Sequence, residues 1–123
     1  MTLSELLKND RFARAAGVEI LDIRPGYAKA RMKVTEKHLN AGGVCQGGAL
    51  FTLADLAFAA VANSRGRLTL SLNANITFLR AISEGYVYAE ATETFNHGRV
   101  PFIEVRLAVS YTHLRAHETS AHL

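Results

Sequence analysis

Hydrophobic and polar positions along this chain switch between two periods, and the switches divide it into elements. From Tyr27 to Thr35 they alternate, with Ala28, Ala30, Met32 and Val34 on one side and Lys29, Arg31, Lys33 and Thr35 on the other. That is a strand with one wet face. Val18 to Arg24 reads as the strand before it, and Pro25-Gly26 as the turn of a hairpin. From Ala49 to Ala62 the alternation gives way to a run that is apolar nearly all the way round, interrupted only by Thr52 and Asp55. Ala, Leu and Phe dominate it, so a helix is predicted. A helix apolar on every side is one that other structure surrounds. After Gly66 the period returns to two. Leu68, Leu70, Leu72, Ala74, Ile76 and Phe78 alternate with Thr69, Ser71, Asn73, Asn75 and Thr77 in one long strand. Gly85 marks a turn, Tyr86 to Phe95 reads as the next strand, and Asn96-His97-Gly98-Arg99 as a tight connection. Ile103, Val105, Leu107 and Val109 then alternate with Phe102, Glu104, Arg106 and Ala108.

At the N-terminus, Thr2 followed by Glu5 reads as a capping box that opens a short helix. Leu6, Leu7, Phe12, Ala13 and Ala16 supply its apolar face, and Gly17 is its stop. This helix is expected to pack or to act as a lid rather than to carry chemistry. The order is helix, two strands, long helix, then at least three strands. The predicted class is therefore α+β, an antiparallel sheet whose apolar face wraps one buried helix.

The oddity in the central helix is Asp55. A carboxylate in an apolar helix loses water at a cost of several kcal/mol unless partners compensate. It is kept either for a fold-specifying hydrogen bond or for chemistry. The loop in front favours chemistry. Gly42, Gly43, Gly47 and Gly48 let the backbone approach a ligand closely. Gly47 and Gly48 fall where the helix begins, so their N–H groups lack intrahelical acceptors and favour an anion or a developing oxyanion. With amide side chains at Asn40 and Gln46, the set points to acyl transfer.

These residues resemble a known family. Asn40, Gly47-Gly48 and Leu53-Ala54-Asp55, followed by Asn63-Ser64 and Ile76-Thr77-Phe78-Leu79-Arg80, are similar to the motifs of the hotdog-fold acyl-CoA thioesterases, in particular the phenylacetate-type (PaaI-like) branch. The similarity runs from about Leu6 to Val109 and implies a hotdog fold over residues 1–109. It implies that the Gly47 N–H polarises the thioester carbonyl and that Asp55 acts as nucleophile or general base, two roles the sequence leaves open. Asn40 and Gln46 would orient the thioester, the water or Asp55. Gly48, Thr52, Asn75, Arg80, His97, Gly98 and Arg99 are candidates for binding the substrate. One departure is that the family's usual His before the glycine pair is Gln46 here. A glutamine hydrogen-bonds but does not titrate, which argues against a His-dependent step and leaves Asp55 as the ionisable candidate in the motif. Gly47 and Asp55 lie roughly 12 Å apart along one helix. An attacking carboxylate must come within about 3–3.5 Å of the reacting carbon. The site is therefore expected to be shared across a twofold homodimer, alone or as a dimer of dimers.

Composition alters this picture little. With 123 residues and 49% hydrophobic content, the chain is one domain with a sizeable core. Its net charge of +3 suits an anionic ligand such as the phosphates of coenzyme A. Lys and Arg are scattered, without the clustered face or stacking platforms that nucleic-acid binding requires. No run reaches membrane-spanning length, and MTLSELLKND lacks the features of a signal peptide. The single cysteine, Cys45, fits a reducing compartment, so a cytoplasmic protein is expected. Neither metal nor cofactor is expected, coenzyme A being part of the substrate. His113 and His117 stand one helical turn apart, but no third ligand is evident. Residues 110–123, SYTHLRAHETSAHL, lose the alternation and resemble translated sequencing-adapter sequence, so a non-native tail and a missing final strand are expected. The alternative within the same fold is a non-catalytic acyl-CoA-binding or sensing domain. A hotdog dehydratase is disfavoured because its His-plus-acid arrangement is absent around Gln46.

Overall fold

The computed structural model describes residues 2–65, 75–77, 80–97, 100–109 and 119–122. The predicted capping box is formed: Thr2 Oγ1 accepts from the Glu5 N–H at 3.1 Å, and the Glu5 carboxylate accepts from the Thr2 N–H at 3.3 Å. The single N-terminal helix expected from the pattern is two helices, α1 (Leu3–Lys8) and α2 (Arg11–Ala16). Asp10 makes the break. Its Oδ1 accepts from the Ala13 N–H at 3.0 Å and caps α2, and a short acidic side chain competes in this way with helix continuation. Gly17 closes α2 at φ 82°, a left-handed geometry glycine adopts at little cost.

The hairpin follows as β1 (Val18–Arg24) and β2 (Tyr27–Val34), and a short 3-10 turn at Glu36–His38 leads into the loop before α3 (Gly47–Ala62). The remaining strands are β3 (Asn75–Thr77), β4 (Gly85–His97), β5 (Val100–Ala108) and β6 (Thr119–His122). Every pairing is antiparallel, in the order β1-β2-β4-β5-β6-β3. Of the long strand expected from Leu68 to Phe78, Asn75–Thr77 is a strand, and residues 66–74 and 78 lie outside the described residues. Asn96 and His97 are not a connection but the end of β4, paired with Pro101 and Val100 after an irregularity between Glu93 and Phe95 shifts the register.

The expectation of a missing final strand is corrected in the same way. β6, drawn from the tail, lies between β5 and β3. Ladder hydrogen bonds are made by main chain, so an extended segment can fill an open sheet edge whatever its side-chain pattern.

The inner face of the sheet holds α3. Ala28, Ala30 and Met32 of β2, Val87, Ala89 and Ala91 of β4, and Ile103, Val105 and Leu107 of β5 are buried in one cluster with Leu53, Ala54, Ala57, Ala60 and Val61 of the helix. The alanines on both sides let the helix backbone come close to the sheet. Leu53 and Met32 fill the remaining space, and truncating either to alanine would cost about 2–5 kcal/mol. Burial of α3 is not uniform, however. Gly48, Thr52, Asp55 and Ala59, at the i, i+4, i+7, i+11 spacing of one helix face, remain partly accessible. The helix is surrounded on all sides but this one.

Candidate active site

The loop that leads into α3 is a closed ring built on Asn40. Its Oδ1 accepts from the N–H groups of Gly42 at 2.8 Å and Val44 at 3.3 Å, and its own N–H donates to the Val44 carbonyl at 2.8 Å. Gly43 turns the chain at φ 80°, which a side-chain-bearing residue would resist. The ring is tied down behind by Cys45 N–H donating to the Ile82 carbonyl and Gln46 N–H to the His38 carbonyl, each at 2.7 Å. The Asn40 oxygen is thus engaged in the loop, while its amide N–H₂ has no partner among the described residues.

His38 anchors the same loop to α2. It is only 5% exposed. Its Nδ1 accepts from the Thr35 N–H at 2.9 Å, and its Nε2 lies 2.6 Å from the Ala16 carbonyl oxygen. Lys37 Nζ donates to the neighbouring Ala15 carbonyl at 2.8 Å. Nothing in the local sequence pattern marks His38. The signal that it bridges two elements lies in a contact 22 residues away.

Gln46 is the N-cap of α3 in an extended conformation, and no side-chain bond caps the helix. The N–H groups of Gly47 and Gly48 therefore have no acceptor among the described residues, and the first turn holds no acidic side chain. These two donors carry the positive end of the helix dipole. The Gln46 amide folds over Gly48 so closely that a Cβ there would lie 2.6 Å from Gln46 Oε1.

A cleft of about 620 Å³ opens here, between α2, the loop and the start of α3. It brings together Asn40, Gln46 and Gly48 of the expected site, and adds Phe12, Ala15 and Ala16 of α2. Phe12 was expected on the apolar packing face of its helix. Instead it is 74% exposed, because the break at Asp10 resets the helical phase.

The cleft does not include Asp55 or Thr52, which lie further along the open face of α3. Asp55 is half-buried, and no described residue donates a hydrogen bond to it. Loss of water pushes its carboxyl above the usual range, and the negative charge of Asp10 adds to the shift. Thr52 Oγ1 donates to the Gly48 carbonyl at 2.8 Å, so its proton is held by the helix itself. Asn75 and His97 are placed by backbone in β3 and β4, Arg80 is exposed, and Gly98 and Arg99 fall outside the described residues. Among the described residues, no three His, Cys, Asp or Glu side chains are grouped as metal ligands. Burial pushes the Cys45 thiol up, away from the thiolate a nucleophile needs.

An antiparallel sheet packed round one helix, with free amide donors at that helix's start, is the hotdog architecture. The chain belongs to the thioesterase superfamily, which it matches over residues 42–109. It is 46% identical over 89 residues to a putative esterase of Archaeoglobus fulgidus, covering 72% of this chain and 58% of that protein. It is 35% identical over 94 residues to the acyl-coenzyme A thioesterase PaaI of Escherichia coli, covering 76% of this chain and 67% of the relative. Among solved structures, a hypothetical thioesterase from Streptococcus pneumoniae, crystallised with coenzyme A, superposes with a TM-score of 0.79 at 25% identity over 94% of this chain and 92% of the other. The chain thus spans less than two thirds of the Archaeoglobus relative's length.

Proposed function

We propose that this protein hydrolyses an acyl-CoA or aryl-CoA thioester to the free acid and coenzyme A. The observation that carries the reading is the pair of unpaired N–H groups at Gly47 and Gly48, beside the cleft that Asn40 and Gln46 line. Donors fixed in this way stabilise negative charge as it develops on a carbonyl oxygen. In the reaction, the thioester oxygen accepts from the Gly47 N–H. Asp55 either attacks the carbonyl carbon or takes a proton from the water that does. The C–S bond then breaks and the coenzyme A thiolate leaves. Where water attacks, the acid forms directly and the thiolate takes the proton that Asp55 accepted. Where Asp55 attacks, an acyl–Asp55 anhydride forms, and water hydrolyses it to the free acid, restores the carboxylate and supplies the thiolate's proton. No cofactor takes part. The Asn40 amide N–H₂ and the Gln46 side chain orient the thioester or the water, and Gly48 and Thr52 border the reacting group.

Asp55 and Gly47 belong to one helix and are too far apart along it to meet on one carbonyl. We infer that the site is completed by a second copy, with the open face of α3 turned to its twofold mate, in a homodimer or a pair of such dimers. The coenzyme A seen in the Streptococcus relative supports the substrate class. On this reading the coenzyme A portion of the substrate is met by Asn75, Arg80, His97, Gly98 and Arg99. The catalytic domain is taken as residues 1–109, with 110–123 a non-native tail, and the lone cysteine points to a reducing, cytoplasmic setting.

The test is steady-state hydrolysis across a panel of acyl- and aryl-CoA esters, for the wild type and Asp55→Asn. Turnover by the wild type, with less than a few per cent of its kcat left in the variant, supports the reading. Tight binding without turnover would make the protein a sensor instead.

A further inference from the structure

We propose that Phe12 is a specificity-determining residue, forming the wall of the cleft that distinguishes bulky apolar acyl groups from short ones. This inference rests on the thioesterase reading above. Phe12 lines the same cleft as Asn40, Gln46 and Gly48, yet it is 74% exposed. A phenyl ring so open to water gains only when an apolar group covers it. Apart from the partly buried Leu39, the rest of the apolar lining is alanine, with Ala15, Ala41 and Ala49 among it, so the cleft has room for an acyl group beside the exposed ring.

The wall is also fixed relative to the chemistry. Lys37 and His38 bind the carbonyls of Ala15 and Ala16 at 2.8 Å and 2.6 Å. These bonds lock the last turn of α2 to the loop that carries Asn40. Phe12 and Gly48 line one cleft, and on this proposal a long acyl body extending from a carbonyl held at the start of α3 covers the Phe12 ring, which an acetyl group is too short to do.

The experiment separates binding from turnover. In the Asp55→Asn background, binding of acetyl-CoA, hexanoyl-CoA and phenylacetyl-CoA is measured by calorimetry, with Phe12 intact, as Phe12→Ala and as Phe12→Leu. Phe12→Ala is expected to weaken hexanoyl-CoA and phenylacetyl-CoA about tenfold and acetyl-CoA less than twofold. Phe12→Leu should recover most of the loss for hexanoyl-CoA. Equal weakening of all three ligands, or none, overturns the proposal, and so does a change in oligomeric state on light scattering, which would make Phe12 an interface residue. Selective weakening while the wild type hydrolyses none of the three would keep the role of Phe12 and overturn the hydrolase reading. Failure of all three to bind would overturn both.

Discussion

The Nε2 atom of His38 lies 2.6 Å from the carbonyl oxygen of Ala16. Because Nδ1 accepts the Thr35 N–H, the ring proton sits on Nε2 and donates to that carbonyl. A buried imidazole satisfied on both sides thus joins α2 to the active loop. His38→Ala leaves a backbone donor and a backbone acceptor without partners and opens a void, at a cost of about 2–4 kcal/mol. Urea denaturation should show the lower midpoint, and kcat/KM should fall as the cleft wall loosens. Unchanged stability would show that the tie is dispensable.

Asp10 raises the proton affinity of Asp55, second to the loss of water. Asp10, the N-cap of α2, is the charged residue that adds to this shift. Asp10→Asn removes that charge and keeps a good N-cap for α2. The acidic limb of the pH–kcat/KM profile, where Asp55 must lose its proton, should move to lower pH in this variant while the melting temperature barely changes. The stability sign follows from the same shift. The folded state holds the Asp55 proton more tightly than the unfolded chain, so stability falls as pH rises from the ordinary Asp range through the raised value and is level above it. Asp55→Asn should abolish that fall, as urea titrations across the acidic range would record.

Gly48 has no room for a side chain while Gln46 keeps its position, since a Cβ would meet Oε1 at 2.6 Å. Gly48→Ala should therefore displace the Gln46 amide. A drop of about tenfold in kcat/KM is expected from the lost alignment. Stability should hold or rise by about 0.5–1 kcal/mol, because alanine suits a helix better than glycine. With Gln46→Ala already in place, the further loss from Gly48→Ala should nearly vanish. Additive losses would show that the added methyl disturbs the site by a route other than Gln46.

If the site is shared, two inactive variants should rescue each other. Asp55→Ala supplies an intact loop and Asn40→Ala an intact carboxylate. A mixed dimer then contains one complete site out of two, and up to half the wild-type activity per verified heterodimer is expected. No recovery would rule out a composite site.

Among the described residues, β3 pairs with β6 alone, and β6 covers the outer edge of β5. Deleting 110–123 removes both sets of ladder bonds and should lower stability by at least about 1 kcal/mol, or roughly 4 °C in Tm. Exchanging Thr119–His122 for a strand of alternating apolar and polar residues should raise Tm above that of the present chain, because the inward positions would then bury apolar surface as well. A deletion that leaves Tm unchanged would show that β6 contributes nothing.

Strand and helix identity in this protein follow from patterns that repeat within a few residues. Period two in β2 and β5 and the apolar run of α3 were legible for that reason, as were the caps at Thr2 and Gly17. The glycine pair and Asp55 stand out in the sequence as site candidates because helix-start N–H groups without acceptors and a carboxylate in apolar sequence are unusual wherever they fall. Tertiary structure decided what depends on distance. The phase break at Asp10 turned Phe12 outward, and a contact spanning 22 residues made His38 a tie between α2 and the loop. Packing on one side of α3 left Gly48, Thr52, Asp55 and Ala59 partly open, where composition alone implied full enclosure. Main-chain pairing drew four residues of an unpatterned tail into the sheet, because a ladder reads backbone geometry and not side chains.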